Sequence, residues 1–275
     1  MCIDVSILRT EKLQAGYEQH TVFQDLDFAV KEGKITTIIG PNGCGKSTLL
    51  KTMGRILKQK AGTVFLYNQD LRSLATREIA KKLTLLPQNP VGPNELTVEE
   101  LITYGRFPHL NQGQKSSIAD QKAIEWAMDI TKTISFRHRE LGSLSGGERQ
   151  KVWLAMALAQ ETAILLLDEP TTYLDMVHQL EVLKIVQQLN RQRQCTIVMV
   201  LHDINHAARF SHEIVAMKEG HIVALGSPQE MITPEVLKQV FCIDARVMLD
   251  PRDGVPVCFS YDNLQTEKEA IGGET

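Results

Sequence analysis

A glycine loop set between a β-rich apolar run and a helix constrains this chain more than any other feature. Lys34 to Ile39 is apolar and β-branched, and it runs into Gly40-Pro41-Asn42-Gly43-Cys44-Gly45-Lys46-Ser47. Beyond that loop Leu49, Leu50, Met53 and Leu57 recur at helical spacing, which predicts a helix over 47–57. The pattern G-x-x-x-x-G-K-[ST] in this setting is a phosphate cradle. Its glycines let backbone N–H groups converge on phosphate oxygens, and the helix start adds the positive end of its dipole. Lys46 then reaches the β- and γ-phosphates of a nucleotide, Ser47 ligates Mg²⁺, and Thr48 completes the set inside the first helical turn. A chance glycine-rich turn would not need the strand before it and the helix after it. Cys44 occupies a variable position of the loop and reads as packing rather than as a reactive thiol.

Two further buried-strand candidates, Ala163 to Leu167 and Cys195 to Leu201, end in Asp168-Glu169 and His202-Asp203, with a helical pattern from Val177 to Leu189 between them. Strand, helix and strand with short links predict a parallel sheet, whose ligands bind beyond the carboxyl ends of the strands. Ile7 to Leu13, Val22 to Val30 and Val64 to Tyr67 read as a small antiparallel sheet. Thr97-Val98-Glu99-Glu100 is a capping box, and helical patterns follow through Gly105, over Ile118 to Thr131 and over Glu148 to Gln160. The expectation is one domain over 1–262: a core of about 1–89 and 161–262, and a helical insert at about 90–160. The stretch 263–275, rich in Glu, Lys, Gly and Thr, has the composition of a disordered tail.

The carboxylate pair carries chemistry after a phosphate loop. Asp168 suits Mg²⁺, and Glu169 suits a general base that polarises the attacking water. Otherwise such a pair is a solvated strand cap. Leu144-Ser145-Gly146-Gly147-Glu148 is a second anion-grasping turn, opening a helix far along the chain. Two such grips in one chain suggest that two chains share each nucleotide. His202-Asp203-Ile204-Asn205-His206 superficially matches the H-E-x-x-H of zinc hydrolases. That motif needs both histidines on one helix, whereas His202 follows a β-branched run.

Leu144 to Gln150 resembles the signature of ATP-binding-cassette ATPases, and the family's other motifs follow in its order over about Ile7 to Tyr261. The resemblance implies a P-loop NTPase (RecA-like) α/β core with a parallel sheet, a small N-terminal antiparallel β subdomain and an inserted α-helical subdomain. It implies that Tyr17 stacks on adenine, that Gln88 senses Mg²⁺ and water, that Asp175 belongs to the D-loop, and that His202 contacts the γ-phosphate. ATP and Mg²⁺ are the implied cofactors. Ser145, Gly146, Gly147 and Glu148 would close over the nucleotide on the other chain of a homodimer. Gly105-Arg106-Phe107-Pro108-His109, the stretch Asp168 to Leu183 and Asp250 to Pro256 are similar to ATPases of ferric-siderophore importers. That group works at the cytoplasmic face of the membrane with two permease subunits and, indirectly, a substrate-binding lipoprotein. Haem, cobalamin or another metal chelate is the alternative cargo, and a soluble non-transport cassette ATPase the alternative class.

Composition fits this reading. A net charge of −3 gives no field for nucleic acid. The apolar runs are too short to cross a bilayer and no secretory signal opens the chain, so a membrane role must come through a partner. The five cysteines form no C-x-x-C pair and read as reduced, mostly buried thiols.

Overall fold

The computed structural model describes residues 6–110 and 116–264. The chain begins with an antiparallel hairpin, β1 (Ser6–Tyr17) and β2 (His20–Lys31), and enters a central sheet through β3 (Ile35–Ile39) and helix α1 (Lys46–Met53). It returns to the first sheet in β4 (Ala61–Leu66) and β5 (Gln69–Asp70), then passes through α2 (Thr76–Ala80) to β6 (Leu83–Leu86). Helices α3 (Val98–Tyr104), α4 (Ile118–Ile130) and α5 (Gly146–Ala159) follow. Next come β7 (Ile164–Asp168), α6 (Met176–Arg193), β8 (Thr196–Val200), α7 (Ile204–Phe210), β9 (Glu213–Lys218) and β10 (His221–Gly226). Helices α8 (Pro228–Met231) and α9 (Pro234–Phe241) lead to a hairpin of β11 (Ile243–Leu249) and β12 (Pro256–Asn263).

The unbroken apolar runs are explained by burial on both faces. Ile164, Leu166, Val198 and Val200 enter one hydrophobic cluster with α1 and the N-terminal sheet. Leu165, Leu167, Ile197 and Met199 enter the other, with the helical segment and α6. Central strands of a covered parallel sheet have this character. The strand order is β10-β9-β3-β8-β7-β6. Its inner pairings are parallel, but β10 pairs antiparallel with β9 and makes the sheet mixed at that edge. Only Glu219 and Gly220, both at positive φ, separate the two strands. A two-residue link can close a hairpin but cannot carry a crossover. The first sheet is ordered β2-β1-β4-β5, and all its pairs are antiparallel.

Helix α1 stops earlier than its apolar spacing predicts. Gly54 caps it and Arg55 turns into the left-handed region at φ 58°, so Leu57 lies beyond the helix.

The three helices after β6 pack on one another around Leu101, Ile102, Ala127, Met128 and Trp153. Thr97 caps α3 with its hydroxyl on the Glu100 N–H, while Glu100 accepts from the Thr97 N–H at 2.8 Å. The Gly-Arg-x-Pro-His string, to which sequence reasoning assigned no chemistry, is a structural lock. Arg106 is 5% exposed. It donates to Asp120 at 2.9 Å, to the Ala159 carbonyl at 2.7 Å and to Glu161 at 3.0 Å. His109 bonds the Gln160 carbonyl at 2.8 Å. A guanidinium and an imidazole thus satisfy the carbonyl end of α5, where a helix favours positive charge.

Asn205 ties α7 to the C-terminal hairpin, donating to the Cys258 carbonyl and accepting its N–H at 2.8 Å. Asn263, where the expected tail begins, instead closes β12 by pairing with Ile243. The rest of that expectation, from 265 onward, lies outside the described residues. Cys44, Cys195 and Cys258 are buried and Cys242 is exposed. Burial pushes the Cys195 thiol up to about 12, which keeps it protonated and inert. Among the described residues no helix is long and apolar enough to cross a membrane.

Candidate functional site

The glycine loop leaves the end of β3 and is braced from two sides. Gly40 has φ 150°, and a Cβ there would lie 2.1 Å from the Met217 carbonyl oxygen. Gly45 has φ 107°, and a Cβ there would press on Val22 at 2.9 Å. Glycine is therefore required at both ends, while Asn42 and Gly43 between them are exposed. Gly220 donates its N–H to the Cys44 carbonyl at 3.1 Å, fixing the loop to the β9–β10 turn. Burial raises the Cys44 thiol, with the Lys46 charge opposing it. Lys46 is nearly buried and folds over the loop, donating to the carbonyls of Gly40 at 2.8 Å and Pro41 at 2.9 Å. Thr48 is buried in the first turn of α1.

Ser47 begins a chain of polar contacts. Its hydroxyl donates to Asp168 Oδ1 at 2.7 Å, while Asp168 Oδ2 is buried with no partner. Burial raises the Asp168 carboxyl above its ordinary value, and the Ser47 hydrogen bond only partly opposes this. A desolvated carboxylate with one orphaned oxygen beside a hydroxyl suits a hard divalent cation, so the pair fits Mg²⁺.

Glu169 follows in the left-handed region at φ 52°. That conformation is disfavoured for a side-chain-bearing residue by about 1–2 kcal/mol, and strain of this kind gathers at functional positions. Both carboxylate oxygens are engaged. His202 Nε2 lies 2.7 Å from Oε1, and Oε2 accepts from Gln88 Nε2 at 2.5 Å and from Thr172 Oγ1 at 3.0 Å. Gln88, Asp168, Glu169 and His202 thus converge at the carboxyl ends of β6, β7 and β8. Asp203 caps α7 through the His206 N–H, so His202 precedes that helix and does not share it with His206.

Thr172 is the residue that sequence reasoning missed here. It stood within the recognised string but carried no role, because a threonine in Pro-Thr-Thr reads as turn chemistry.

Ser145, Gly146 and Gly147 sit elsewhere. Ser145 caps α5, its N–H donating to Glu148 Oε2 at 2.8 Å and its oxygen accepting the Glu148 N–H at 3.3 Å. Glu148 also pairs with Arg139 at 3.3 Å. These bonds consume two of the turn's donors. They leave the N–H groups of Gly146 and Gly147, which have no acceptor within their own helix. Nothing lies within 4 Å of where a Gly146 Cβ would stand. Among the described residues no hydrogen bond or ion pair joins this turn to the Lys46 loop. Asp175 is the N-cap of α6. Tyr17 ends β1 half-exposed, on the hairpin whose Val22 braces Gly45.

A profile of the ABC transporter family matches residues 23–172, more than half of the chain. The chain is 50% identical over 264 residues to the iron(3+)-hydroxamate import ATP-binding protein FhuC of Bacillus subtilis (strain 168), covering 96% of this chain and 98% of that one. It is 41% identical over 257 residues to the ferric enterobactin transport ATP-binding protein FepC of Escherichia coli (strain K12), covering 94% and 95%. Among solved structures it is similar to a metal-chelate type ABC transporter in an inward-facing conformation, with TM-score 0.79, 27% identity and coverage of 95% and 99%. A dimeric ATP-binding cassette in a post-hydrolysis state with ADP and Pi matches with TM-score 0.70 and 27% identity, covering 80% of this chain and 98% of that one. The matched residues span the phosphate loop, the carboxylate pair and the glycine turn, and the chain belongs to the ABC transporter family as one of its ATP-hydrolysing cassettes.

Proposed function

We propose that this cassette powers the import of ferric siderophores, with ferric hydroxamates as the first class to test. The observation that carries this is 50% identity to a hydroxamate-import ATPase across nearly the full length of both chains. The cargo never touches this chain, so its residues cannot select iron directly. The discriminating experiment is deletion of the gene, followed by growth under iron limitation on single siderophores. Loss of growth on a hydroxamate, restored by the intact gene and not by Lys46→Ala, is expected. Undiminished growth on every siderophore would refute the iron reading, and loss of haem or cobalamin uptake instead would reassign the cargo.

The site residues divide the work as follows. Lys46 leaves the carbonyls of Gly40 and Pro41 to meet the β- and γ-phosphates, and the loop N–H groups hold the remaining oxygens. Ser47, Asp168 and Gln88 would hold Mg²⁺, which when bound neutralises phosphate charge. Glu169 orients and polarises the attacking water, and His202, 45% exposed at its side chain, contacts the γ-phosphate. Their mutual bond gives each a fixed starting geometry, which suits a reaction that depends on positioning. Tyr17 stacks on adenine. The free N–H groups of Gly146 and Gly147, with the Ser145 hydroxyl, close over the γ-phosphate held by a second copy, and Asp175 lies at the same seam. A dimeric cassette of similar fold supports this arrangement.

Two permease subunits, with a lipoprotein receptor beyond them, would take up the motion at the cytoplasmic face of the membrane. Val91, three residues past Gln88, and Tyr104 and Phe107, at and after the end of α3, are exposed large apolar side chains, which supports a partner surface on this segment.

A further inference from the structure

One close contact of the glycine turn belongs neither to the phosphate loop nor to the carboxylate cluster. The imidazole of His178 lies against Gly147: a Cβ on that glycine would fall 2.6 Å from His178 Cδ2, 2.8 Å from Cγ and 3.0 Å from Nε2. Three ring atoms at such range mean that the ring covers the Gly147 Cα and that no other residue fits between. The same ring is held from behind. His178 Nδ1 lies 2.9 Å from Asp175 Oδ1, which also accepts the His178 backbone N–H at 2.9 Å. Asp175 is ionised at neutral pH and can only accept, so Nδ1 carries the proton and donates.

We propose that His178 is a positioning residue that sets the glycine turn of α5 against the Asp175 loop of the same chain, so that both approach a second copy as one unit. This rests on the reading that Ser145 to Gly147 close over a partner's nucleotide. Three observations converge on it. The ring backs one side of the turn, while the Gly146 side is open to a ligand. The imidazole is oriented by a carboxylate that itself caps α6. Tyr173, Met176 and Val177, which flank this contact, expose 85%, 73% and 66% of their surface. Such a run of large apolar residues around a functional loop is an interface composition. Without the ring, Gly147 would regain the freedom that glycine otherwise has, and its N–H would lose its aim.

The test uses the full chain in a Glu169→Gln background, with ATP-dependent dimerisation measured by sedimentation. His178→Ala is expected to raise the protein concentration needed for dimerisation at least tenfold. Mg-ATP affinity of the monomer should stay within twofold of the parent, because His178 does not touch the chain's own phosphate loop. His178→Phe keeps a ring over Gly147 but not the Asp175 bond, and falls between. Gly147→Ala should abolish dimerisation, and the Gly147→Ala/His178→Ala double variant should recover part of it, since the obstructing ring is gone. Circular dichroism checks each fold, and His178→Asn replaces His178→Ala should the latter misfold. A His178→Ala or His178→Asn variant that dimerises at the parent's concentration overturns the proposal. A Glu169→Gln parent that stays monomeric with ATP removes the shared-nucleotide reading, and this proposal with it.

Discussion

Asp120→Asn offers a quantitative test of the lock that holds the helical segment together. Asp120 is 5% exposed. Burial works to raise its carboxyl, but the Ser117 hydroxyl and N–H and the Arg106 guanidinium outweigh burial and hold it down at about 2, against an ordinary 3.8. At ~1.36 kcal/mol per decade of proton affinity, that displacement is worth about 2.4 kcal/mol of folding stability at neutral pH. Asparagine keeps an acceptor for the Ser117 N–H and loses the charge facing Arg106, so the expected loss is about 1.5–2.5 kcal/mol. Because folding holds this carboxyl below its unfolded value, the stabilisation is complete above pH ~4–5 and fades as the pH falls through 3.8 towards about 2. The wild-type contribution should drop to about 1.3 kcal/mol at pH 3. Urea unfolding of both proteins at pH 7 and pH 3 measures the gap, and amide exchange in α3, α4 and α5 locates it. A gap below ~0.5 kcal/mol at pH 7, or one that is unchanged at pH 3, would refute this account of the lock.

Other perturbations separate the roles within the site. Glu169→Gln should slow ATP hydrolysis by about 10²–10⁴-fold with ATP affinity changed only a few-fold, as read by steady-state turnover and nucleotide titration; full turnover would remove Glu169 from the chemistry. Thr172→Val deletes one donor to Glu169 Oε2 and should lower kcat by about tenfold with KM unchanged, whereas an effect on KM alone would place Thr172 in binding. Asp168→Asn should abolish Mg-dependent hydrolysis yet raise the melting temperature of the nucleotide-free protein. It relieves a buried charge worth about 1–2 kcal/mol, and a lowered melting temperature would contradict the burial argument. That gain should widen with pH, since a carboxyl raised by folding stabilises below its unfolded value and loses that contribution as the pH rises through its folded one.

What could be read beforehand follows from how local each signal is. The phosphate loop, the capping box at Thr97 and the apolar runs of β3, β7 and β8 are written in consecutive residues, and each element appears where those residues stand. β6 was not legible, since the four residues Leu83 to Leu86 are too few to show a period. β9 was missed because its buried run, Ile214 to Met217, is too short to show a period, and β10, β11 and β12 because their partly exposed strands alternate only weakly. In the site, Lys46, Ser47, Asp168 and Glu169 could be assigned from their motifs. The bond from Gln88 to Glu169 spans 81 positions and that from Ser47 to Asp168 spans 121, and no spacing rule reaches so far. Arg106 was noticed as part of a string and not understood, because its partners lie in two distant places, Asp120 in α4 and Ala159 with Glu161 at the end of α5.

One short loop links Glu169 to helices α5 and α6, and so the proposed chemistry to the proposed dimer seam. It leaves β7 at Asp168, strains at Glu169, offers the Pro170 carbonyl to Gln150 of α5 at 3.1 Å, returns Thr172 to Glu169, and ends by capping α6 at Asp175. Thr172 thus contacts the Glu169 carboxylate, Pro170 the helix that bears the glycine turn, and Asp175 with the Thr171 and Leu174 carbonyls the first turn of α6. A change in what Glu169 binds must therefore act on a loop that has little slack, since Gln150, Thr172 and Asp175 each pin it within a few residues. Glu169 bonds Gln88 at the same time, and Gln88 leads directly into the helical segment. On the proposed roles, loss of the γ-phosphate would thus be felt in two directions at once, toward the partner's nucleotide through α5 and α6, and toward the membrane through the segment after Gln88. On the proposed roles of Glu169 and Gln88, this geometry would tie opening of the dimer to hydrolysis without a separate signalling element, because the residues proposed to position the water also hold both connections in register.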